Sequence, residues 1–194
     1  MNKPGIFVGS TRTRRLGSIW IACSERGLVA VEFGLSRSEF ESALQRRTGL
    51  ELRPSLSRVR GAASQIRRYL GGNLRRFDLQ IDWSTITSPF QRAVLKAVLS
   101  IPYGQTRTYA QIARQVGHPS APRAIGQANA TNPIPLVIPC HRVIGSDGSL
   151  RGYGGAGGVR TKAWLIGMEA VRSSGCQCRA APPSRMARSS GEAG

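Results

Sequence analysis

NPIPLVIPCHRVIG, residues 132–145, is the most distinctive stretch of this 194-residue chain. Its three prolines restrict the backbone and predict a stiff, extended segment rather than a helix. The segment leads directly into Cys140, His141 and Arg142. A cysteine reacts as its thiolate, which a nearby imidazole or guanidinium stabilises. In an extended segment neighbouring side chains point to opposite faces, so His141 needs a bend or a bridging water to act on Cys140. The alternative is a buried, inert cysteine.

Three short helices are predicted before this stretch. Ser88 is expected to cap the first helix, Thr108 the second and Ser120 the third, which runs to about Ala130. The last two helices, joined by a tight turn, resemble a helix-turn-helix. This pattern occurs in DNA-binding proteins and also as ordinary helix packing.

The third predicted helix has an unusual surface, because Arg123 is its only long charged side chain. Its other notable positions are small: Ala121, Ala124, Gly126, Ala128 and Ala130. Small residues allow close approach, either to another helix or to a nucleic-acid groove. Gly126 costs about 1 kcal/mol of helix stability relative to alanine, so a close approach there would offset that cost.

The residues before Ser88 predict a separate α+β unit. Two strands are expected in residues 18–34, a helix at 38–47 capped by Ser38, a helix at 58–70 and an alternating strand at 77–83. The predicted fold is therefore α+β: a small N-terminal α/β unit (residues 1–85) packed on a mostly helical C-terminal domain (residues 86–171). A final helix is expected at 159–169. Residues 172–194 form a basic tail whose composition predicts disorder.

The amino-acid composition indicates which classes of molecule the chain can bind. The chain has 28 Lys and Arg against 10 Asp and Glu, a formal charge of +18, which favours polyanions such as nucleic acid. No apolar run is long enough for a membrane span, and the N-terminus lacks the apolar core of a secretory signal. The four cysteines form no paired framework, which predicts a reducing cytoplasm. With two histidines in the chain, a Cys/His metal site is not expected, nor is any cofactor.

The stretch at 132–145 resembles the active-site signature of the O6-alkylguanine-DNA alkyltransferases, also called methylated-DNA–protein-cysteine methyltransferases. The resemblance extends over about residues 15–171. It includes Ser88-Pro-Phe-Gln91, Ile101-Pro-Tyr-Gly104, Thr108-Tyr109, Gly152-Tyr-Gly-Gly155, Trp164-Leu165 and Glu169.

The resemblance implies direct, irreversible transfer of an alkyl group from the O6 of guanine to Cys140. His141 would act as base through a water molecule, with Glu169 orienting its imidazole. Tyr109 would donate a proton toward the guanine ring. These four are the expected catalytic residues of a monomer that acts once.

The resemblance also implies how DNA is held. Arg123 would enter the duplex and fill the gap left by a base flipped out through the minor groove. The expected DNA-binding residues are Thr108, Arg123, Ala124 and Gly126. The expected pocket residues are Asn132, which would brace the turn before the active site, and Pro135, Val143, Tyr153 and Gly154.

Two departures from the family and three other functions stay open at this point. Cys23 has no evident partners for the zinc that larger members carry, and the glycine-rich loop after Tyr153 is longer than in compact members. The alternatives are a non-catalytic reader of alkylated guanine, a transcription factor and a Cys–His hydrolase. The preferred alkyl group and activity on O4-alkylthymine do not follow from the sequence.

Overall fold

The computed structural model describes residues 5–173, which form a small sheet unit followed by a helical part. The strands are β1 (Gly5–Thr13), β2 (Gly17–Ser24), β3 (Gly27–Phe33), β4 (Glu51–Pro54), β5 (Arg107–Thr108) and β6 (Val143–Ile144). The helices are α1 (Arg37–Thr48), α2 (Leu56–Leu70), α3 (Pro89–Leu99), α4 (Tyr109–Gln115), α5 (Pro122–Ala130) and α6 (Gly158–Ser173). This is the α+β architecture that the sequence predicts.

The N-terminal sheet has the strand order β3-β2-β1-β4. Its first three strands are antiparallel neighbours, and β4 joins β1 in parallel. Helix α1 lies over one face, where Phe40 and Leu44 pack with Ile6 and Val8. Helix α2 lies over the other face, where Val59 and further α2 residues belong to the main core. Both faces of the sheet are therefore covered.

The main core is continuous between the two parts of the chain. Ile21 of β2 and Ile66 of α2 belong to the same buried cluster as Leu95 of α3, Ile125 of α5 and Leu165 of α6. Because one core joins the two parts, residues of the N-terminal unit reach the interior of the helical part. None of the helices within residues 5–173 is long and apolar enough to cross a bilayer.

Local signals in the sequence explain where most helices begin. Ser88 accepts a hydrogen bond from Gln91 N at the start of α3, and Thr108 forms a full capping box at the start of α4. Two expected caps are wrong. Ser36, rather than Ser38, caps α1, and α5 begins after Ala121 without a side-chain cap.

Two expectations about irregular segments are also wrong. Residues 77–83 do not form a strand; Ile81 makes a single bridge to Leu28 before Asp82 starts a short 3-10 turn. Residues 132–139 are not extended but form buried turns, with Leu136 at a positive φ of 73°. The predicted strands at 18–34 are confirmed as β2 and β3. Strands β1, β4, β5 and β6 were not predicted.

The expected disordered tail lies almost wholly outside the described residues. Helix α6 continues to Ser173, two residues into the predicted tail, and residues 174–194 are not described.

Candidate active site

Cys140 lies at the start of a 3-10 turn, Cys140–Arg142, which supplies the bend that the sequence requires between Cys140 and His141. The amides of two asparagines hold this turn. Asn129 Nδ2 donates to the carbonyl oxygen of Cys140 at 3.1 Å, and Asn132 Nδ2 donates to that of Ile138 at 2.9 Å. Asn132 Oδ1 also accepts from the backbone N–H of Ile134 at 3.0 Å. The prolines leave few backbone donors here, so asparagine side chains complete the hydrogen bonding.

Glu169 of α6 is the centre of a buried polar network around His141. Its Oε1 lies 3.1 Å from His141 Nε2 and 2.8 Å from Arg142 Nη2. Its Oε2 accepts from Arg142 Nε at 2.9 Å and from the backbone N–H of Gly104 at 3.1 Å. The Tyr69 hydroxyl donates to Oε1 as well. The carboxylate therefore has donors from three separate parts of the chain, which satisfies a charge that is 1% exposed.

Burial and hydrogen bonding shift the pKa values of Glu169 and His141 in opposite directions. Burial alone would raise the pKa of Glu169, but hydrogen bonds and charge from His141 and Arg142 lower it to about 2. Burial lowers the pKa of His141, although Glu169 opposes that shift. At neutral pH the pair is thus a carboxylate beside a neutral imidazole. The second ring nitrogen, His141 Nδ1, is buried and has no hydrogen-bond partner within residues 5–173.

The Cys140 thiol is 5% exposed, and burial raises its pKa to about 11. Hydrogen bonding from Asn132 and the positive charge of Lys162 lower that pKa, but burial dominates. Lys162 is fully buried, and its Nζ donates to the carbonyl oxygens of Val143 at 2.6 Å and Arg151 at 3.1 Å. The resting cysteine is therefore a protonated thiol that needs an acceptor for its proton before sulfur attacks carbon.

A cleft of about 940 Å³ lies close to this centre, although Cys140 and His141 themselves do not line it. It lies between α4, α5 and the loop after β6. The predicted residues that line it are Tyr109, Arg123, Gly126, Tyr153 and Gly154. Gly154 is required for its shape, since a side chain there would place its Cβ 2.8 Å from the carbonyl oxygen of Ala130.

Two tyrosines that line the cleft, Tyr109 and Tyr153, interact electrostatically with the sulfur of Cys140. The negative charge of a Cys140 thiolate raises the pKa of both Tyr109 and Tyr153, although burial is the larger cause in each case. Tyr109 also receives a hydrogen bond from Asn129 that lowers its pKa. Both phenols therefore keep their protons at neutral pH and are able to donate a hydrogen bond. The Tyr153 hydroxyl is buried and has no hydrogen-bond partner within residues 5–173.

Other predicted residues lie outside the cleft lining. Pro135 and Val143 are buried and do not line it, and Asn132 is buried in the turn before Cys140. Thr108 caps α4, and Ala124 is exposed on α5 beside Arg123. The structure thus brings Cys140, His141 and Glu169 into one buried site, with Tyr109 and Tyr153 toward the cleft.

Sequence reasoning missed three polar residues of this site, Tyr69, Asn129 and Lys162. It also missed one pairing, because Arg142 pairs with Glu169 rather than with the thiolate. Arg142 stood in the quoted motif, but its partner is 27 residues away and is defined by tertiary packing. Tyr69 had no local signal, because it belongs to the N-terminal unit. Within residues 5–173, no group of three His, Cys, Asp or Glu side chains is placed to hold a metal ion.

Comparisons with known proteins agree over most of the chain. Residues 11–83 match the family described as 6-O-methylguanine DNA methyltransferase, ribonuclease-like domain. Residues 89–171 match 6-O-methylguanine DNA methyltransferase, DNA binding domain. A methylated-DNA–protein-cysteine methyltransferase of Salmonella typhimurium is 43% identical over 155 residues, covering 78% of this chain and 88% of the relative. One from Methanosarcina barkeri is 41% identical over 154 residues, covering 79% and 91%.

Solved structures give the same result for the fold. A crystal structure of Mycobacterium tuberculosis OGT in complex with DNA superposes with a TM-score of 0.70 at 37% identity, covering 86% of this chain and 94% of that chain. Both halves of the chain match one family, and the relatives are similar over nearly their whole length. The chain therefore belongs to the methylated-DNA–protein-cysteine methyltransferase family.

Proposed function

We propose that this protein repairs O6-alkylguanine in double-stranded DNA by transferring the alkyl group irreversibly to the sulfur of its own Cys140. DNA repair by alkyl transfer to a cysteine is the activity of the family. The observation that assigns it to Cys140 is the buried Cys140–His141–Glu169 arrangement beside a cleft lined by two tyrosines. Residues 86–171 would bind DNA and carry the reaction, and residues 1–85 would support them.

The transfer needs two proton movements. The Cys140 sulfur forms a bond to the alkyl carbon as the bond from that carbon to O6 breaks. The thiol proton passes through a water molecule to Nδ1 of His141, the nitrogen that lacks a partner within the described residues. Tyr109 donates a proton toward the guanine ring as it leaves. Glu169 stabilises the imidazolium that forms. A thioether is not hydrolysed, so each molecule acts once.

Burial of the sulfur requires the base to leave the duplex. A thiol that is 5% exposed cannot reach a base edge inside stacked DNA, so the nucleotide must be flipped into the cleft. Arg123 is exposed at the cleft edge and would fill the gap. The small, exposed surface of α5 at Ala124 fits the narrow minor groove, with Gly126 and Thr108 alongside. Helices α4 and α5 would act as a helix-turn-helix.

The charge of the C-terminal part supports this DNA-binding face. Residues 86–171 contain nine Lys and Arg against two acids, Asp147 and Glu169. Glu169 is buried and paired, and Asp147 is paired with Arg151 at 3.1 Å. The unpaired charges on the surface of this part are therefore positive, which favours contact with phosphates.

We place the reaction in the cytoplasm and expect a monomer. Neither Cys23 nor Cys140 is in a disulfide, and a repair thiol has to be kept reduced. O4-alkylthymine presents the same oxygen–alkyl bond and is the second substrate to test.

The decisive measurement is the mass of the intact protein after incubation with duplex DNA that contains O6-methylguanine. We expect a single added methyl group that peptide mapping locates on Cys140. Cys140→Ala should gain no methyl group yet bind the duplex with nearly unchanged affinity, because phosphate contacts supply most of the binding energy. Methylation of Cys23, or repeated turnover without a covalent change, would overturn the proposal and favour a hydrolase.

A further inference from the structure

Tyr69 lies in α2, within the N-terminal unit, yet its hydroxyl belongs to the network around His141. The hydroxyl oxygen lies 2.5 Å from Glu169 Oε1 and 3.2 Å from His141 Nε2. The side chain is fully buried, and its ring packs against Phe77 and Tyr103 with ring centroids 5.1 and 6.2 Å away. No step of the proposed reaction has used this hydroxyl so far.

The proton count in the network determines what the hydroxyl does. Glu169 is ionised, so its Oε1 only accepts hydrogen bonds, and the single proton of the Tyr69 hydroxyl is donated to it. Toward His141 the Tyr69 oxygen can then only accept. Both neighbours of His141 Nε2 are therefore acceptors, and Nε2 must carry the ring proton.

This assignment leaves the other ring nitrogen as the base. A neutral imidazole with its proton on Nε2 has a bare lone pair on Nδ1. Nδ1 is buried and has no hydrogen-bond partner within the described residues. Two acceptors on Nε2, from different helices, also hold the ring in one plane more firmly than Glu169 alone would.

We propose that Tyr69 is a positioning residue for alkyl transfer: its hydroxyl fixes the tautomer and orientation of His141 so that Nδ1 can accept the thiol proton. The proposal rests on the assignment of Cys140 and His141 made above. It makes the N-terminal unit a part of the catalytic centre, because the hydroxyl reaches Glu169 across 100 positions of sequence.

The test compares Tyr69→Phe with Tyr103→Phe. Each change removes one phenolic oxygen and keeps the ring, and the two rings are in contact. The Tyr103 hydroxyl has no hydrogen-bond partner within residues 5–173, so its loss should change little. The single-turnover rate of methyl transfer is measured from pH 6 to pH 9 on methylated duplex and on free O6-methylguanine.

Tyr69→Phe should lower the rate about 10-fold near pH 7 on both substrates, the effect of one hydrogen bond to a charged group. The deficit should shrink as the pH rises, because hydroxide then removes the thiol proton without the imidazole. Affinity for the duplex should stay unchanged. A profile that superimposes on that of the wild type, or a loss that is equal at every pH, would overturn the proposal.

A second measurement includes the wild type, and that part of it does not depend on how the variants fold. The chain has two histidines, His118 and His141, so nitrogen NMR of ¹⁵N-histidine-labelled protein resolves both rings. We expect His141 protonated at Nε2 in the wild type and a mixture of tautomers in Tyr69→Phe. Protonation at Nδ1 in the wild type would exclude the proposed role. If the wild type itself gains no methyl group on Cys140, the proposed function fails instead.

Discussion

Glu169 shows how one buried carboxylate connects separate parts of the chain. It accepts hydrogen bonds from α2, from the loop after α3 and from the 3-10 turn that contains the nucleophile. Arg142 and Gly104 satisfy the other lone pairs of this carboxylate, and Arg142 helps to keep it ionised. The ionised carboxylate can then stabilise an imidazolium at His141, against the opposing charge of Arg142. The catalytic role of His141 therefore depends on residues that do not touch the substrate.

Glu169→Gln should lower the rate of methyl transfer about 100-fold at pH 7, within the range of general base catalysis. The amide cannot balance the imidazolium, so the thiol keeps its proton. Raising the pH should recover part of the loss, since the Cys140 thiol, with its pKa near 11, then ionises increasingly without help. The measurement is the pH–rate profile of single turnovers on methylated duplex.

Folding has to be checked in the same variant. Loss of the carboxylate leaves Arg142 buried without its counter-charge, which costs about 3–5 kcal/mol of stability. Rates are therefore compared well below the melting temperature of the variant. Superimposable profiles would remove Glu169 from the mechanism.

Arg123→Ala should slow repair of duplex DNA and leave transfer from free O6-methylguanine nearly unchanged. The reason is that base flipping is needed for the duplex alone. Arg46→Ala is a matched control, because it removes the same charge from an exposed position of α1, away from the cleft. Equal losses on both substrates would assign Arg123 a structural role.

At the scale of the element, α5 has one exposed side made of small residues and one buried side. Gly126 is partly buried and lies between these two sides. A Cβ there would lie 3.8 Å from the Tyr109 ring, an ordinary contact, so the fold itself does not require glycine. What the glycine leaves open is the floor of the cleft.

Gly126→Ala should raise the free energy of unfolding by about 0.5–1 kcal/mol and weaken binding to the methylated duplex. Gly61→Ala in α2 is the control, since Gly61 also lies inside a helix with open space around it. It should give the same gain in stability with no change in DNA affinity. The comparison uses thermal melts and a duplex titration, and equal affinities for the two variants would argue against contact between α5 and DNA.

The helices were predictable because their signals are local. Ser88 and Thr108 cap helices as their positions indicate, and Gly71 ends α2. Strand β4 was not predictable, because its four residues are partly or fully exposed and pair in parallel with β1, from which β2, β3 and α1 separate it in the sequence. Residues 77–83 were mispredicted for a similar reason. Their apolar and polar residues alternate regularly, as in a strand, but the segment makes only one bridge, between Ile81 and Leu28.

The site divides in the same way between local and tertiary signals. Cys140 and His141 are adjacent, so the quoted motif was enough to indicate chemistry. The turns at 132–139 were not predictable, because they depend on Asn132 hydrogen bonds that replace backbone partners. Tyr69 of α2 and Lys162 of α6 reach the site only through tertiary packing, and no spacing in the sequence predicts their contacts there.

At the scale of the whole molecule, the active-site network should determine how stability responds to acid. The pKa of Glu169 is about 2 in the folded chain against an ordinary value of 4.5. A carboxyl group with a lowered pKa stabilises the fold fully above pH 4.5, and this contribution is lost as the pH falls toward 2. The difference corresponds to about 3 kcal/mol. His141 acts with the same sign at higher pH: its folded pKa lies below 6.5, so unfolding is favoured as the pH drops below 6.5.

Urea unfolding at a series of pH values from 7 to 3 measures this response. The wild type should lose stability in two ranges, first below pH 6.5 from His141 and then below pH 4.5 from Glu169. Glu169→Gln should start from a lower free energy of unfolding and show a flatter slope below pH 4.5, because it has no carboxyl group to protonate there. Glu51→Gln is the control: Glu51 also has a lowered pKa, from its pairing with Arg53, but the pair is at the surface, where water screens it. Its slope should match that of the wild type. Parallel slopes for the wild type and Glu169→Gln would mean that the buried network does not govern acid stability, and would contradict the ionised Glu169 on which the proposed mechanism depends.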